Sequence, residues 1–440
     1  MQEAIAVPWY RTLTSTQWKT LAASNLGWMF DGYETFALIL TVGVALRQLL
    51  DAALYPQIPV YAGTVIGLTL LGWGIGGMIG GVLADYIGRR RMMIYAILAY
   101  SVMTGLSAFA WDWVSFVVLR FLVGIAIGSE WATGSSMTAE MWPDQARGRG
   151  AGLMQCGLGM GFFLASLVWL FVGSAGPGAW RYMFVIGVLP ALLTLWIRFG
   201  IPESPLWDAT NKRRQAATER QRAGAGLTDE DRALTRLTLL DLFAERSLRF
   251  RTAIVFLMSL TTTLAWWGIS SWVPLYIASV ATKANLPGPW ASYAGMSYTF
   301  GGVVGYVAFG FLADALGRKP VTFVYIVLAW VLTPVLFLWT QDLSLLLVVA
   351  FLNAIFSTGQ YSWMPVWLPE LYPTRIRATA LAFAFNAPRF IAFLGPIFAG
   401  QLIVAFGGFG AAATTIATIY AVGLVAVLFL PETRGNRLPA

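Results

Sequence analysis

The chain has 440 residues, of which 58% are hydrophobic and only 11% are charged, and its formal net charge is +8. A soluble domain carries about 25% charged residues, so the composition excludes a soluble protein and predicts an all-α polytopic membrane protein. The single cysteine, Cys156, excludes an intramolecular disulfide.

Long apolar runs recur along the chain, and each is long enough to cross a bilayer as a helix of about 20 residues. The first run is too long for a signal peptide and has no small-residue cleavage site after it, so we interpret it as a retained span. The sequence predicts twelve transmembrane helices, over residues 20–47, 61–83, 92–110, 114–138, 150–173, 179–199, 251–280, 290–312, 320–340, 343–368, 378–404 and 408–430.

The basic residues lie almost entirely on one side of these spans. If both termini are cytoplasmic, only Arg47, Arg181 and Lys283 of the 29 Lys and Arg residues fall outside. An excess of Lys and Arg in cytoplasmic loops is the positive-inside pattern. It predicts a multi-pass protein of the cytoplasmic (inner) membrane, with both termini inside. The positive charge therefore indicates topology, with the lipid bilayer and not nucleic acid as the partner. We expect a monomer.

Two acids interrupt the first apolar run. Asp31 lies about half-way along it, where a charge costs on the order of 2.5–3.5 kcal/mol on insertion scales. Glu34 is three residues later, so both acids share one helix face. We expect this face to line a transport cavity. With no histidine in the chain, a carboxylate must carry any coupling proton, and Asp31 is the first candidate, with Glu34 or Glu130.

The chain repeats itself with a nearly constant offset. This repetition predicts two six-helix halves in the same orientation, related by an axis along the membrane normal. The predicted domains are an N-terminal six-helix bundle (1–199), a cytoplasmic linker (200–250) and a C-terminal six-helix bundle (251–440). Residues Gly72, Gly76, Gly81, Asp85, Gly88, Arg89 and Arg90 recur 229 residues later as Gly301, Gly305, Gly310, Asp314, Gly317, Arg318 and Lys319.

The loop Gly81–Arg90 and its second copy, Gly310–Lys319, resemble the loop signature of the major facilitator superfamily. The resemblance covers nearly the whole chain and implies its fold, two pseudo-symmetric bundles of six helices. It also implies that these loops are latches between the halves and not substrate sites, a role carried over to Asp85, Arg89, Asp314 and Arg318. Pro202-Glu203 and Pro431-Glu432 resemble motifs that end each half; physically, we expect helix stops with capping carboxylates.

Two further segments resemble parts of the same superfamily. Arg120-Phe-Leu-Val-Gly-Ile-Ala-Ile-Gly128 in the fourth span is similar to a signature whose arginine faces the cavity and is tied to proton coupling. Asp31-Gly-Tyr-Glu34 resembles the Asp-Gly-x-Asp segment of the aromatic-acid and related organic-acid and sialate proton symporters. Glu130-Trp131 and Glu140 to Arg149 fit the same group. The chain departs from the pattern at Glu34, where the pattern has Asp.

Five ionisable residues inside the spans are not explained by helix ends, namely Asp31, Glu34, Arg120, Glu130 and Arg389. They could pair with each other as structural bridges, but buried charges in membranes usually mark ion or substrate paths. Arg389 lies twelve residues beyond Arg377, about 18 Å into the membrane, and Pro388 should bend the helix there. Arg389 is the only such charge in the second half, and we expect it to face the acids of the first half across the cavity.

Polar and aromatic residues complete the expected substrate site. Arg389 and Arg120 would bind or orient a carboxylate. The other candidate contacts are also residue types that commonly serve in packing or as interfacial anchors. They are Asn386, Gln155, Trp266, Gln360 and Tyr361.

These features together predict a secondary active transporter. The expected function is proton-coupled uptake of a small organic anion, such as an aromatic acid, a sugar acid or a short carboxylate, by alternating access. The alternatives are an organic-anion exchanger, a sugar or osmolyte symporter, and a membrane sensor with a transporter fold. The sequence contains no metal cluster or nucleophile constellation, so we expect neither an enzyme nor a cofactor other than coupling protons.

Overall fold

The structure, a computed structural model, describes residues 8–224, 226–286, 290–394 and 409–439. Helices account for all regular structure in these ranges. Nine helices of the described ranges are long and apolar enough to cross a membrane. Each of the other three predicted spans falls short for a simple reason. The helix of the third span begins with three arginines, and the helix of the sixth is broken into two segments. The eleventh span, predicted over 378–404, lies partly outside the described residues. The predicted twelve-helix fold is confirmed.

The first half contains six spans, two of which are broken into two segments. The helices are α1 (Ser15–Leu49), α2 (Ile58–Ile87), α3 (Arg89–Ser107), α4 (Trp113–Ile127 and Glu130–Met141), α5 (Arg147–Val172) and α6 (Ala179–Ile186 and Pro190–Gly200).

The linker is helical, and the second half repeats the pattern of the first. The linker holds α7 (Pro205–Arg222), α8 (Asp229–Thr235) and a single turn, Thr238–Asp241. The second-half helices are α9 (Arg246–Ile269 and Val273–Lys283), α10 (Trp290–Leu316), α11 (Arg318–Pro334, continued by a π turn, Val335–Trp339), α12 (Leu343–Ser357 and Trp363–Leu371), α13 (Arg377–Asn386 and Arg389–Ala392) and α14 (Phe409–Ala417 and Tyr420–Leu428).

Helix ends follow local chemistry. Thr14 and Gln17 form a reciprocal capping box at the start of α1, which satisfies backbone donors that the helix leaves free. The predicted break at Pro388 is present, since the first segment of α13 ends at Asn386 and the second begins at Arg389. Gly88 and Gly317, at equivalent places in the repeated loops, have φ of 107° and 109°, a region that side chains other than glycine rarely occupy.

Glycines set the closest helix contacts, and they do so at equivalent positions in the two halves. A Cβ placed on Gly76 of α2 would lie 1.8 Å from the carbonyl oxygen of Ile125, and one on Gly305 of α10 would lie 2.1 Å from that of Ile355. Only glycine permits backbones to approach this closely. The sequence repeat is therefore a repeat of helix packing.

The two halves meet along two helix pairs. Helix α5 of the first half packs along α10 of the second, and α2 packs along α13. The linker, the repeated loops and both ends of the described chain lie at one end of the bundle, which we call the charged end. The opposite end is called the far end.

Candidate functional site

A central cavity lies between the two halves, enclosed by aromatic side chains. The volume of this cavity is about 20 Å³, which is enough for about one water molecule. An organic anion therefore cannot enter unless the walls move apart. The wall is formed by Trp28, Thr35, Trp73, Leu158, Phe162, Trp266, Trp267, Tyr306, Tyr361, Phe385 and Arg389.

Arg389 is the charged group on this wall. Its guanidinium carbon lies 4.0 Å from the ring centre of Phe385 and 4.7 Å from that of Trp73, and one of its nitrogens donates to the carbonyl oxygen of Phe385. Only 2% of the side chain is exposed. Among the described residues no carboxylate forms a salt bridge with it, and its Nε has no hydrogen-bond partner there. The cavity thus holds a buried cation stabilised by aromatic faces but without a counter-ion.

A larger vestibule of about 440 Å³ opens beside the central cavity towards the far end. Helices α1, α5, α9 and α10 form it, and it shares Phe162 and Trp266 with the central cavity. These two rings lie 6.0 Å apart, and Phe162 also stacks on Phe36 at 4.9 Å. The pair therefore forms the partition that must move before a ligand reaches Arg389 from the far end.

The two acids of α1 do not face this cavity, which corrects the sequence-based expectation. Trp28 and Thr35, seven residues apart, line the wall, whereas Asp31 and Glu34 are turned towards the interior of the first half. The reason is helix rotation: at 100° per residue, Asp31 lies about 40° and Glu34 about 100° from Thr35 around the axis, both on the side away from Trp28. Asp31 and Glu34 still lie on neighbouring positions of one face, as predicted.

Glu34 pairs with Arg120. One nitrogen of the buried Arg120 guanidinium binds Oε1 of Glu34, and the guanidinium carbon lies 5.0 Å from the ring centre of Phe184. Arg120 was expected at the substrate site. Instead it forms this pair inside the first half and lines a second small cavity, whose wall also includes Thr35, Trp73 and Trp267.

Asp31 and Glu130 are buried acids without hydrogen-bond partners. Both are 0% exposed, and none of their four carboxylate oxygens has a partner among the described residues. Glu130 begins the second segment of α4 and lies against α1, because a Cβ on Gly27 would be 2.2 Å from its Oε1. An unsatisfied buried carboxylate is costly, so these two acids need a proton, an ion or water to satisfy them.

The structure brings together three of the predicted substrate contacts and separates the others. Trp266, Tyr361 and Arg389 share the central cavity. The side chain of Asn386 donates to the carbonyl oxygen of Ala382 at 2.9 Å and packs against Gly77 of α2. Gln360 lies inside the second half, where its amide nitrogen donates to Tyr420 at 3.3 Å. These two therefore serve helix packing in this state.

Gln155 supports the cavity wall from behind. Its Oε1 accepts a 2.8 Å hydrogen bond from Nε1 of Trp131. The ring of Trp131 stacks on Phe385, with ring centres 4.0 Å apart. Gln155 thus fixes the ring of Trp131, which in turn holds Phe385 beside Arg389. Gln155 was expected to contact the ligand, but in this structure it supports the cavity wall.

Several wall residues were missed from the sequence. Trp28, Trp73, Tyr306 and Phe385 each contribute a ring to the cavity. Trp28 lies one turn before Asp31, and Phe385 lies one turn before Arg389, so proximity to the intramembrane charges was an available signal. Trp73 and Tyr306 occur in spans without such charges, and only the packing identifies them.

The charged end is closed by a network with the symmetry of the repeat. Glu140 of the first half binds Arg89 of its own half and Arg377 of the second, both at 3.1 Å. Its counterpart Glu370 binds Arg318 of its own half at 2.8 Å and Arg147 of the first half at 3.2 Å. Each carboxylate therefore joins the two halves.

The loop acids add a second set of links. Asp85 accepts hydrogen bonds from the backbone nitrogen and hydroxyl of Thr379, at 2.9 and 2.7 Å. Asp314 accepts from the backbone nitrogens of Gly148 and Arg149, at 3.2 and 3.0 Å. Both acids also bind the arginine four residues later in their loop, Arg89 and Arg318. Of the residues predicted as latches, Asp85 and Asp314 thus bridge the halves in this state, and Arg318 binds the acids of its own half.

The Pro-Glu motifs cap helices, as expected, although the helices belong to the repeated loops. Glu203 accepts from the backbone nitrogens of Arg89 and Arg90, and Glu432 accepts from those of Arg318 and Lys319. Burial acts to raise the pKa of Glu432, but these amides outweigh it and lower the pKa below its ordinary value. The carboxylate therefore stays charged at the positive end of the helix dipole.

We expect Asp314→Asn to open the charged end. Asparagine removes the charge that attracts Arg318 and the amides of α5. Hydrogen bonds to charged groups contribute about 1.5–3 kcal/mol, so the ratio of closed to open protein should fall about tenfold or more. Spin labels at Tyr95→Cys and Val324→Cys, which are exposed and equivalent in the repeat, report this opening as a longer distance in a Cys156→Ala background.

The matched control is Asp112→Asn. Asp112 caps α4 through Ser115 at the far end, so its loss removes a carboxylate without touching the contact between halves. An unchanged distance distribution in the Asp314 variant would show that these links do not hold the end closed.

Comparison with known proteins identifies the family and agrees with the fold. Residues 52–439 match the family described as sugar (and other) transporter. The chain is 28% identical over 384 residues to the sialic acid transporter NanX of Escherichia coli, covering 87% of this chain and 86% of that protein. It is 28% identical over 381 residues to the cis,cis-muconate transport protein of Acinetobacter baylyi, covering 85% and 86%. The niacin transporter NiaP of Acinetobacter baylyi is 27% identical over 431 residues, with 94% of each chain covered.

Solved structures show the same architecture. The structure of the proton:xylose symporter XylE of the major facilitator superfamily, bound to 6-bromo-6-deoxy-D-glucose, has a TM-score of 0.77 and 22% identity, covering 96% of this chain and 98% of that one. The family match over residues 52–439 establishes the family, and the likeness to the structure of XylE shows the fold. The protein is a multi-pass membrane transporter and not an enzyme, and it belongs to the sugar (and other) transporter family of the major facilitator superfamily.

Proposed function

We propose that the protein is a proton-coupled symporter that takes up a small organic anion by alternating access. The observation that carries this proposal is Arg389, a buried cation on the wall of the central cavity that has no counter-ion within the described part of the chain. A cation without a partner is costly in a low-dielectric site, and a carboxylate bound there removes that cost. Neutral sugars would leave it in place.

The second support is the pair of unsatisfied acids in the first half. Neither Asp31 nor Glu130 is among the residues that line the central cavity, and their carboxylate oxygens have no hydrogen-bond partner among the described residues. Each acid can therefore hold a proton apart from the bound substrate. Trp28 separates them from Arg389, since its ring contacts both Trp131 and Phe385. The coupling proton and the substrate therefore occupy neighbouring sites.

Charge balance favours one proton for each monocarboxylate. The five intramembrane charges are three acids and two arginines, with a sum of −1 when all are ionised. A bound monocarboxylate brings the sum to −2, and one proton restores −1. Because uncompensated charge in the membrane is expensive, the substrate-bound protein should change from its outward-open to its inward-open conformation with one proton bound.

The closed charged end and the vestibule at the far end support loading of the substrate from the outside of the cell. The positive-inside pattern supports a cytoplasmic position for the charged end, and with it for both termini, in the inner membrane. The vestibule then faces the outside, and Phe162 and Trp266 form the outer partition. The protein functions as a monomer in this scheme and uses no cofactor other than protons.

The similar transporters support an anionic substrate. Those named for sialic acid, cis,cis-muconate and niacin take their names from compounds that carry a carboxylate at neutral pH. The aromatic rings around Arg389 provide flat apolar surface beside the cation. Together these features favour a carboxylate with a compact or planar body.

The test begins with binding. Nicotinate, cis,cis-muconate, N-acetylneuraminate, D-glucuronate and neutral D-xylose are added to the purified protein at pH 6 and pH 8, and the melting temperature is measured. A ligand at 100 times its Kd stabilises the folded state by about 2.7 kcal/mol. We expect at least one carboxylate to stabilise the protein, more strongly at pH 6, and D-xylose to have no effect.

Transport is then measured in proteoliposomes with the acid that binds. An inward proton gradient should drive uphill uptake, with one proton entering for each anion. Stabilisation by D-xylose alone would instead support a sugar symporter. Counterflow without any response to the proton gradient would support an exchanger. Either result would overturn the proposal.

A further inference from the structure

A row of side chains on α3 faces the acids of α1. Both helices begin at the charged end, so residue numbers in each increase towards the far end. At the lower level, Ile97 lies 3.6 Å from a Cβ placed on Gly27, next to Glu130. At the upper level, a Cβ on Gly187 would contact both Thr104, at 2.6 Å, and Glu34, at 3.0 Å. The two levels are seven residues apart, about 10 Å along the helix axes.

Tyr100 occupies the middle of this row, at the level of Asp31. Its side chain is 0% exposed, and its phenol oxygen has no hydrogen-bond partner among the described residues. Asp31 lies at this level of the facing helix α1, with Glu130 packed against Gly27 below it and Glu34 above it. A buried phenol normally finds a partner. Here an unsatisfied hydroxyl instead lies among unsatisfied acids.

The charges around Tyr100 come from two helices. Asp31 and Glu34 belong to α1, and Glu130 begins the second segment of α4. Arg120, on the first segment of α4, neutralises Glu34, which leaves Asp31 and Glu130 as the acids free to exchange a proton. Ser24 of α1 lies beside Glu130 on the side of the charged end, because a Cβ on Gly134 would be 3.4 Å from its Cβ and 3.6 Å from Oε1 of Glu130.

We propose that the hydroxyl of Tyr100 relays the coupling proton between Asp31 and Glu130. Protonated Asp31 gives its proton to the phenol oxygen, directly or through one water, as the phenol O–H proton passes to the carboxylate of Glu130. One O–H bond breaks and one forms at Tyr100, so the tyrosine is unchanged and one proton has moved. The relay rests on the proton-coupled function proposed above and identifies Tyr100 as a residue of its proton path.

The test is Tyr100→Phe, which removes only the hydroxyl. Proteoliposomes are loaded with the pH dye pyranine and supplied with whichever of nicotinate, cis,cis-muconate or N-acetylneuraminate binds the wild type. We expect substrate Kd and counterflow within about twofold of wild type, because Tyr100 does not line the cavity. Proton-driven uptake and pyranine acidification should fall at least about tenfold. Tyr100→His, which restores a hydrogen-bonding ring, should recover part of the coupled rate.

The matched control is Tyr33→Phe. Tyr33 is also buried in the first half, but its hydroxyl donates to the carbonyl oxygen of Met183 at 3.0 Å. Its loss should leave coupling intact. If Tyr100→Phe does not fold, 3-fluorotyrosine incorporated at position 100 replaces it, and a relay predicts a changed coupled rate with unchanged counterflow.

The outcomes separate this inference from the proposed function. Wild-type protein without proton-driven uptake would refute the proposed function and the relay with it. Coupled uptake in wild type and an equal rate in Tyr100→Phe would overturn the relay alone. Loss of binding or counterflow in Tyr100→Phe would assign Tyr100 a structural role and would also overturn it.

Discussion

Arg389→Ala abolishes substrate binding if the unpaired guanidinium is the anchor for a carboxylate. The variant would have to bury the anion in an aromatic cavity without a counter-charge. Losing one partner of a buried charge pair costs about 2–5 kcal/mol, so we expect at least about a 30-fold increase in Kd and no measurable uptake. Isothermal titration of the purified variant with the acid that binds the wild type measures this loss.

Arg181→Ala is the matched control for the Arg389 variant. The Arg181 guanidinium carbon lies 4.2 Å from the ring centre of Trp180, so its removal also breaks a cation–π contact, but away from the cavity. It should bind substrate as wild type does. Arg389→Lys keeps the charge without the planar fork and should recover part of the affinity. Wild-type affinity in Arg389→Ala would exclude this arginine as the anion site.

Asp31→Asn should uncouple transport from protons. The amide has nearly the shape of the acid, so packing is kept, but it cannot take up the proton. One pH unit corresponds to 1.36 kcal/mol, so wild type with one proton per monoanion can accumulate substrate about tenfold per unit of inward gradient. The variant should only equalise the two concentrations, while counterflow continues. Steady-state accumulation in proteoliposomes, at imposed gradients of zero to two pH units, measures the difference.

A carboxylate outside the membrane interior provides the comparison for Asp31. Asp342 caps α12 through the backbone nitrogen of Leu345 at 2.8 Å, and Asp342→Asn should accumulate substrate as wild type does. The affinity of wild type should fall between pH 6 and pH 8, because binding takes up a proton, whereas that of Asp31→Asn should stay flat. Uphill accumulation by Asp31→Asn at the wild-type level would reject Asp31 as the proton site.

Span number, repeat and loop chemistry could be predicted from the sequence because each depends on local or periodic features. An apolar run must cross the bilayer as a helix, since its backbone has no other partner there. Gly88 and Gly317 are fixed by the backbone turn that each loop needs. The predicted capping by Glu203 and Glu432 follows from the charge of a helix N-terminus, although the capped helices became known only from the structure.

The candidate site was predicted less completely, because periodicity shows which residues share a helix face but not which neighbour that face meets. Asp31 and Glu34 lie together, as the helix period predicts, and Arg389 lines the central cavity. The assumption that both groups face the same cavity was wrong, because the rotation of α1 is set by its contact with α5. A Cβ on Gly161 of α5 would lie 1.9 Å from the carbonyl oxygen of Met29, so this face of α1 is fixed against α5.

The sequence by itself determined a twelve-helix transporter with charged groups inside the membrane, since burying a charge there is too costly to occur without a role. Only the tertiary structure decided how those charges are divided. It paired Glu34 with Arg120, left Arg389 alone among aromatic rings, and enclosed Asp31 and Glu130 with Tyr100 inside the first half. Such pairings depend on side chains from helices far apart in the chain, and helix rotation and close glycine contacts fix them.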